Sequence, residues 1–493
     1  MVNDLIFVKP EEEGLDSKQV LKFINIIEEC KINLHSFMIV RKGKILAEGY
    51  YPPFHKDFMH RLYSASKTYV SMAVGKLMGE GKVKLTDRLV DYFPELLDRQ
   101  QDKWMQETTI EDALKMSVPM LTDTYFDRKY KEWAWTFFNR QESLKPAGTV
   151  FNYNTSGSFI LDVLVEKLTG MTFLEYLRPE FDKIGISKDI WCVKSPDGYS
   201  WGGSGVVCTM RDFAKFAELI MYKGEYKGEQ LLPRAYIKKA TTKQIENVVE
   251  NNYALFKSGG YGYQIWIQKA GFSLYGMGSQ FALCFPDKEL LFVCNGDTQC
   301  SADSAGNDIY NAVYEKIYLE LQEKRIENDG TAYQQLKEKL THLHLSLDFG
   351  EKTSPLEKEI DGKKYVLQEN PMGWKWLQFT FEGGRCALKY ENARGIKVLP
   401  FAMETYKQCT FPETHYYDRQ VDMPANRELD CLTSASWTMP NQLLLRVYIV
   451  DTNFGNCFMT FGFKNDEVGV YMYKRAEFFM QEYEGYAGGK RNL

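Results

Sequence analysis

The stretch Arg61-Leu62-Tyr63-Ser64-Ala65-Ser66-Lys67-Thr68-Tyr69-Val70-Ser71-Met72-Ala73-Val74-Gly75-Lys76-Leu77-Met78 decides how this chain is read. Arg61-Leu62-Tyr63 reads as extended chain. From Thr68 onward the spacing is helical, with Val70, Ala73, Val74 and Leu77 on one stripe, which is assigned to core packing and to no chemistry. Ser64 and Lys67 form a Ser-x-x-Lys at the predicted start of that helix. Residues three apart on a helix lie one turn above each other, so Lys67 is expected over Ser64. Ser64 in turn is expected near the positive end of the helix dipole. A hydroxyl beside an amine suffices to build a nucleophile without histidine. Alone the pattern is weak, because a chain this long holds about one Ser-x-x-Lys by chance, and a serine N-cap followed by a solvated lysine explains it as well.

Composition bounds what surrounds the motif. At 493 residues the chain should hold two to four domains, taking about 150 residues per domain. A hydrophobic fraction of 44% and an aromatic fraction of 14% supply large packed cores and exclude disorder for the bulk. A formal net charge of −5, with no basic cluster, argues against a nucleic-acid partner. The ten cysteines are scattered, with no Cys-x-x-Cys, and read as free thiols of a reducing compartment rather than a disulfide framework. The first ten residues show neither a basic start nor a long apolar run, so no signal peptide is read. No stretch of about 18 apolar residues exists, so no membrane span is expected. A cytoplasmic location is the expectation, although a chain trimmed of its leader would look the same.

Working outward, Ser36–Arg41, Lys42-Gly43-Lys44 and Ile45–Tyr50 read as a β-hairpin with a glycine turn. A mostly helical and loop region follows to about residue 200. Asp123 to Phe138 is rich in aromatics, which suit either helix core or a substrate wall. Phe151-Asn152-Tyr153-Asn154-Thr155-Ser156-Gly157 is a polar turn before an apolar helix. Trp201-Gly202-Gly203-Ser204-Gly205 is a tight loop whose glycines permit close backbone approach, before a helix from Thr209 to Tyr222. Strands are predicted over Tyr261–Ile267, Phe281–Phe285 and Leu290–Cys294, then a long helix from Asp308 to Glu323. Glu327-Asn328-Asp329-Gly330 is the clearest boundary, followed by a linking helix over Thr331–Leu340. Residues 345–493 alternate like a small antiparallel β domain, a barrel or a sandwich, with Gly373–Phe381 and Leu443–Val450 as examples. No long repeat is visible.

The order Ser64-x-x-Lys67, then Tyr153-Asn154-Thr155, then Gly202-Gly203, then Tyr275-Gly276-Met277-Gly278-Ser279-Gln280 resembles the serine β-lactamase and penicillin-binding-protein superfamily. The branch is similar to class C β-lactamases and related esterases and amide hydrolases, 6-aminohexanoate-dimer hydrolase among them. Lys84–Leu96 and Gly202–Leu219 strengthen the resemblance, which covers roughly residues 10–325. It implies an α/β (α+β) fold, with an antiparallel sheet flanked by helices plus an all-α region. The implied domains are a hydrolase over 1–328, a linker helix over 329–344 and a β domain over 345–493.

The resemblance carries Ser64 over as nucleophile, Lys67 as its base or base partner, and Tyr153 as the third member. A serine hydroxyl is a poor nucleophile until a neighbour takes its proton. Lysine at about 10.4 and tyrosine at about 10 suit that task only when shifted. Burial disfavours a charged lysine and the two groups perturb each other, so a proton shared near neutrality is expected. Two backbone N–H groups should bind the oxyanion, that of Ser64 and one from the strand near Gly278. Tyr275, Gly276, Asn154 and Thr155 complete the substrate-facing set. This chain departs from the family in two places. The asparagine of the Tyr-x-Asn motif is Thr155 here, with Asn154 beside it. The Lys-Thr-Gly position is held by Tyr275-Gly276-Met277, with a register that can slip by one or two residues. The missing lysine is the cation that holds a β-lactam or D-Ala-D-Ala carboxylate. An esterase or amidase acting through an acyl-enzyme on a small ester, amide or peptide-like substrate is therefore expected. The alternatives are a β-lactamase or D-Ala-D-Ala carboxypeptidase, and a non-catalytic sensor.

A Ser-His-Asp centre is not favoured: the six histidines His35, His55, His60, His342, His344 and His415 accompany no Gly-x-Ser-x-Gly elbow. His342-Leu343-His344 lacks further ligands at metal spacing, so no metal and no cofactor are expected. Gly79-Glu80-Gly81-Lys82-Val83 lacks the spacing of a phosphate loop. The C-terminal domain could cap the site, bind substrate or join two copies into a homodimer.

Overall fold

The structure, a computed structural model, describes residues 6–126, 129–140, 142–247, 259–302, 304–327, 330–381, 386–414, 428–476 and 483–492. The chain divides into two compact units between His344 and Leu345.

The first unit is built on an antiparallel sheet of β1 (Leu34–Arg41), β2 (Lys44–Tyr50), β3 (Phe272–Gly276), β4 (Gln280–Phe285) and β5 (Leu290–Gly296) in the order β2-β1-β5-β4-β3. Ile6–Phe7 adds a parallel pair outside β2, and Trp266–Ile267 an antiparallel pair outside β3. The predicted hairpin is present. Arg41 pairs with Lys44, and Lys42 and Gly43 both take positive φ (49° and 73°), the turn whose twist matches two antiparallel strands.

Helices cover both faces, which is why β1 is buried along its whole length. On one face Phe23 of α1 (Ser17–Glu29) meets Phe37 of β1 and Phe292 of β5 edge-on, with centroids 5.3 and 5.2 Å apart. On the other lies α4 (Met210–Met221), whose Arg211 grips Glu48 of β2 at 2.9 and 2.7 Å. Between these in sequence come α2 (Ser66–Gly79) and α3 (Thr155–Thr169), both largely buried. The stripe Val70, Ala73, Val74 and Leu77 is fully buried, as predicted.

Two sequence readings change, and the linking helix stands. Tyr261–Ile267 forms a strand only at Trp266–Ile267, because Gln264 turns the backbone left-handed (φ 59°) to bury its side chain. The helix expected over Asp308–Glu323 runs as α5 (Ala305–Val313) and then a π turn over Tyr314–Tyr318. The linking helix spans Thr331–Thr341 and ties back to α1 through Lys339 and Glu28 at 2.5 Å. Asn328 and Asp329 of the boundary signal, and His415, lie outside the described residues.

The second unit is a β barrel, resolving the barrel-or-sandwich alternative. Its strands are β6 (Lys364–Leu367), β7 (Trp376–Thr380), β8 (Cys386–Asn392), β9 (Gly395–Met403), β10 (Lys407–Thr410), β11 (Asp430–Met439), β12 (Gln442–Val450), β13 (Gly455–Lys464), β14 (Glu467–Ala476) and β15 (Gly485–Arg491). They run β9-β8-β7-β6-β15-β14-β13-β12-β11 and close by a parallel joint in which Ala402 and Met403 of β9 pair Ser434 and Ala435 of β11. β10 occupies the rest of that β11 edge. Alternate residues of β13 and β14 (Cys457, Met459, Phe461; Val468, Val470, Met472) point into one core, the two-residue period of a sheet with one buried face.

The first unit buries a histidine pair: His35 Nδ1 and His60 Nε2 lie 3.0 Å apart, with His35 stacked on Phe54 at 3.7 Å. One ring must donate and the other accept, so a second proton would set two N–H groups against each other. Burial pushes both rings below the ordinary range, His60 to about 3. The unfolded rings take up protons below about 6.5, while the folded ones resist. The pair's contribution is therefore complete above about 6.5 and is lost as pH falls toward 3. Thermal melts from pH 7.5 to 4 should show a falling midpoint, with a shallower fall in His60→Gln; parallel curves for the two proteins would contradict this account.

Candidate active site

Ser64 sits where extended chain becomes helix. Leu62 N–H donates to Val206 O at 2.7 Å, Tyr63 takes a φ of 48°, and a 3-10 turn over Tyr63–Ala65 leads into α2. That φ is sparsely populated for a bulky residue, and the Ser64 that follows it is partly exposed in an otherwise buried segment. The Arg61 guanidinium lies over the Tyr63 and Trp201 rings, 4.4 and 4.7 Å from their centroids.

Lys67 is buried, and its Nζ lies 3.1 Å from Ser64 Oγ and 2.6 Å from Gly203 O. A long cationic side chain is almost never fully buried unless its head is satisfied, and here two oxygens receive it. The Gly203 carbonyl gets there because its loop has no side chains in the way. A Cβ on Gly202 would fall 2.4 Å from Val70 Cγ2, and one on Gly203 2.6 Å from Thr155 Cγ2. The loop is also pinned from three sides. Arg61 donates to Ser204 O and Oγ at 2.7 and 2.9 Å, Val206 N–H donates to Ser66 Oγ at 2.9 Å, and Gly202 N–H donates to Asp162 at 3.2 Å. Burial, with Glu166 nearby, pushes the Asp162 carboxyl well above the usual range.

Tyr153 comes to the same place from the N-terminal approach to α3. Its ring lies 5.0 Å from Lys67 Nζ and stacks on Trp266 at 5.4 Å and 19°, with Tyr261 edge-on at 6.4 Å. Thr155 lies against Gly203, at the loop that receives Lys67. Asn154 is engaged within the fold: its Oδ1 caps α3 by accepting from Gly157 N–H at 3.0 Å, and its Nδ2 donates to Thr122 O at 3.0 Å.

The third segment closes the site from the sheet. Tyr275 packs its ring on Phe281 across β3 and β4, with centroids 4.9 Å apart. Gly276 lies so close to the Ser64 turn that a Cβ would sit 2.0 Å from Leu62 O and 3.2 Å from Ala65 N. Gly278 and Ser279 take φ of 78° and 66° in the turn to β4. Gln280 braces that turn from behind, donating to Met277 O and Gly296 O at 3.1 and 2.7 Å.

Sequence reading missed several supports. Asp123 accepts from Ser156 N–H at 2.8 Å; burial raises its carboxyl above the usual range, opposed by that bond and by the field of Lys67. Gln264 joins three elements, its carbonyl accepting from Thr68 and its side chain bonding Ser158 and Ala113 O. Trp266 was read only as part of a strand, and the Gly202-Gly203 signal showed close approach without its purpose. The aromatic run 123–138 divides: Trp133, Phe137 and Phe138 are core, while Tyr130 and Trp135 meet at a tilt of 51°, each beneath Arg140. His342 Nδ1 bonds Glu338 O at the end of its helix, and no cluster of metal-ligating side chains occurs among the described residues. No described helix is long and apolar enough to cross a membrane.

Comparison with known proteins places these observations. A family model described as Beta-lactamase matches residues 28–299 of the 493. A 6-aminohexanoate-dimer hydrolase of Paenarthrobacter ureafaciens is 24% identical over 248 residues, 47% of this chain and 63% of the relative; the chain thus matches somewhat under two thirds of that protein's length. Among solved structures, a Bacillus anthracis protein to which 6-aminohexanoate-dimer hydrolase activity is ascribed superposes with a TM-score of 0.51 at 19% identity, over 65% of this chain and 88% of its own. A Bacteroides dorei protein ascribed to the β-lactamases gives 0.50 at 15% identity, over 62% and 99%. With the family match extending over more than half its length and spanning every segment that converges on Ser64, this chain belongs to the Beta-lactamase family.

Proposed function

We propose that the chain is a serine hydrolase that cleaves an ester or amide through an acyl-enzyme on Ser64. The observation that carries this reading is the placement of Lys67 Nζ, 3.1 Å from Ser64 Oγ while anchored on Gly203 O at 2.6 Å. A base held within hydrogen-bond reach of a hydroxyl is the first requirement for activating it. In this reading Lys67, with Tyr153 beside it, takes the Ser64 proton as Oγ bonds to the acyl carbon. The same proton then passes to the leaving alcohol or amine. Water, activated by the same groups, attacks the acyl carbon and frees Ser64. The developing oxyanion would be met by the Ser64 N–H and an N–H from the β3–β4 turn near Gly278, which Gly276 allows to lie against the Ser64 turn.

One observation favours an acyl group without a carboxylate: Tyr275, a neutral side chain, stands in the segment where the resemblance places the carboxylate-binding lysine. The matched relative, a 6-aminohexanoate-dimer hydrolase, supports an amide as the bond cleaved. The substrate-facing set is Tyr275, Gly276, Gly278 and Thr155, while Asn154 would act by fixing the start of α3.

A fluorophosphonate probe should add its mass to the wild-type protein at Ser64, and Ser64→Ala should take up none. Lys67→Met and Tyr153→Phe should each slow hydrolysis of a p-nitrophenyl ester on the order of 10²- to 10⁴-fold, the usual contribution of a positioned acid or base. An unchanged intact mass after exposure would remove the enzymatic reading, and rapid nitrocefin turnover with weak ester hydrolysis would replace it with a β-lactamase. Gly203→Ala tests the anchor. The added methyl collides with Thr155, which should cost about 1–3 kcal/mol in a thermal or urea melt. Because the carbonyl that holds Lys67 moves with it, kcat should fall while KM changes little; a loss confined to stability would show that the anchor does not matter to the chemistry.

A further inference from the structure

Two of the ten cysteines face one another across neighbouring strands of the barrel. Cys409 of β10 is the register partner of Cys431 of β11, and their Sγ atoms lie 3.5 Å apart as free thiols. Directly opposed residues of an antiparallel pair have Cα atoms about 4.5–5.5 Å apart, inside the range of about 4.4–6.8 Å that a disulfide spans. Reaching a bond length of about 2.05 Å is therefore a matter of side-chain rotation, not of moving strands.

The two thiols differ in a way that suits sequential chemistry. Cys431 belongs to the barrel core and is fully buried, whereas Cys409 packs against that core and stays partly exposed. The contact with Cys431 lowers the Cys409 thiol below its ordinary range against the effect of burial, with Thr433 and Lys407 assisting, and Cys431 is pushed up by the same contact and by burial. A thiolate that is reachable and has a second thiol within contact distance is the arrangement of a redox-responsive pair.

We propose that Cys409 and Cys431 are a reversible oxidation site that forms a cross-strand disulfide in the presence of a hydroperoxide. The Cys409 thiolate attacks the O–O bond, takes one oxygen as a sulfenic acid and releases an alcohol, or water when the oxidant is hydrogen peroxide. Cys431 sulfur then attacks Cys409 sulfur. The S–S bond forms, the S–OH bond breaks, and the oxygen leaves as water with the proton from Cys431. In sum, two thiols and one hydroperoxide give one disulfide, one alcohol and one water. A dithiol reverses the step by thiol–disulfide exchange.

The position gives the bond a structural consequence. β9 closes the barrel on β11 through only two residue pairs, and β10 fills the remainder of that edge. A Cys409–Cys431 bridge would fasten β10 to β11 beside that joint and would restrict the unfolded chain between the two residues.

The test treats the full chain with hydrogen peroxide, or separately with oxidised glutathione, and measures intact mass and a non-reducing peptide map. The expected result is loss of the mass of two hydrogens, a peptide linking Cys409 to Cys431, reversal by dithiothreitol, and a higher melting midpoint for the oxidised form. Cys409→Ser, at the partly exposed position, should block the cross-link, and Cys30→Ser, at an exposed position elsewhere, should leave it intact. Cys431→Ala removes a side chain from the barrel core, so the assignment rests on the wild-type map and Cys409→Ser. A stable sulfinic acid or glutathione adduct on Cys409 without the cross-link would overturn the proposal, as would a cross-link between other cysteines or no mass change.

Discussion

A buried amine held between a hydroxyl and a backbone carbonyl organises the first unit. Lys67 can lie inside the protein because Gly203 O and Ser64 Oγ receive it, and most of the neighbouring structure serves to keep those two oxygens where they are. The carbonyl depends on two glycines wedged between α2 and α3, on Arg61 gripping Ser204, and on Ser66 receiving Val206. The hydroxyl depends on the bend at Tyr63. These supports share residues: Arg61 braces the loop and stacks over Tyr63, so loop and turn are set by the same side chain. A change in one is felt by the other, which is how packed interiors transmit small displacements.

How much of this could be read in the sequence depended on how local each signal was. The hairpin at Lys42-Gly43 was legible because two residues fix their own turn. Lys67 beside Ser64 was legible because residues three apart meet within one turn, although the 3-10 turn and the bend at Tyr63 that complete the placement were not, and α2 and the barrel strands were legible through their apolar periods. The Gly202-Gly203 loop announced close approach but not its target, since the target, Lys67, is distant in sequence. Gln264 defeated the strand reading of Tyr261–Ile267 for the same reason. Its left-handed backbone is held by partners on α2, α3 and the short helix Ile110–Leu114, none of which is a neighbour in the chain. Asn154 looks available in the sequence because an asparagine side chain is polar. Only the fold shows both of its ends engaged.

The same contrast appears among the cysteines. Ten scattered residues with no short-range pairing read as free thiols, and free thiols are what the structure has. What spacing cannot reveal is that strand register brings Cys409 opposite Cys431, a relation that exists only once β10 and β11 are aligned.

The connectivity of the barrel also constrains how it can form. β11 through β15 are a run of adjacent antiparallel pairs, each made by a short return of the chain. Closure instead needs two joints between partners far apart in sequence: β6 with β15, where Tyr365 pairs Arg491, and β9 with β11. Loop-closure entropy is met before such contacts yield any gain, so these joints set the folding barrier of the unit and its rate. During synthesis β6 must wait, with its unpaired edge exposed, until β15 has emerged. The β9–β11 joint, with two pairs, is the shallower of the two, and transient opening of the barrel wall should begin there.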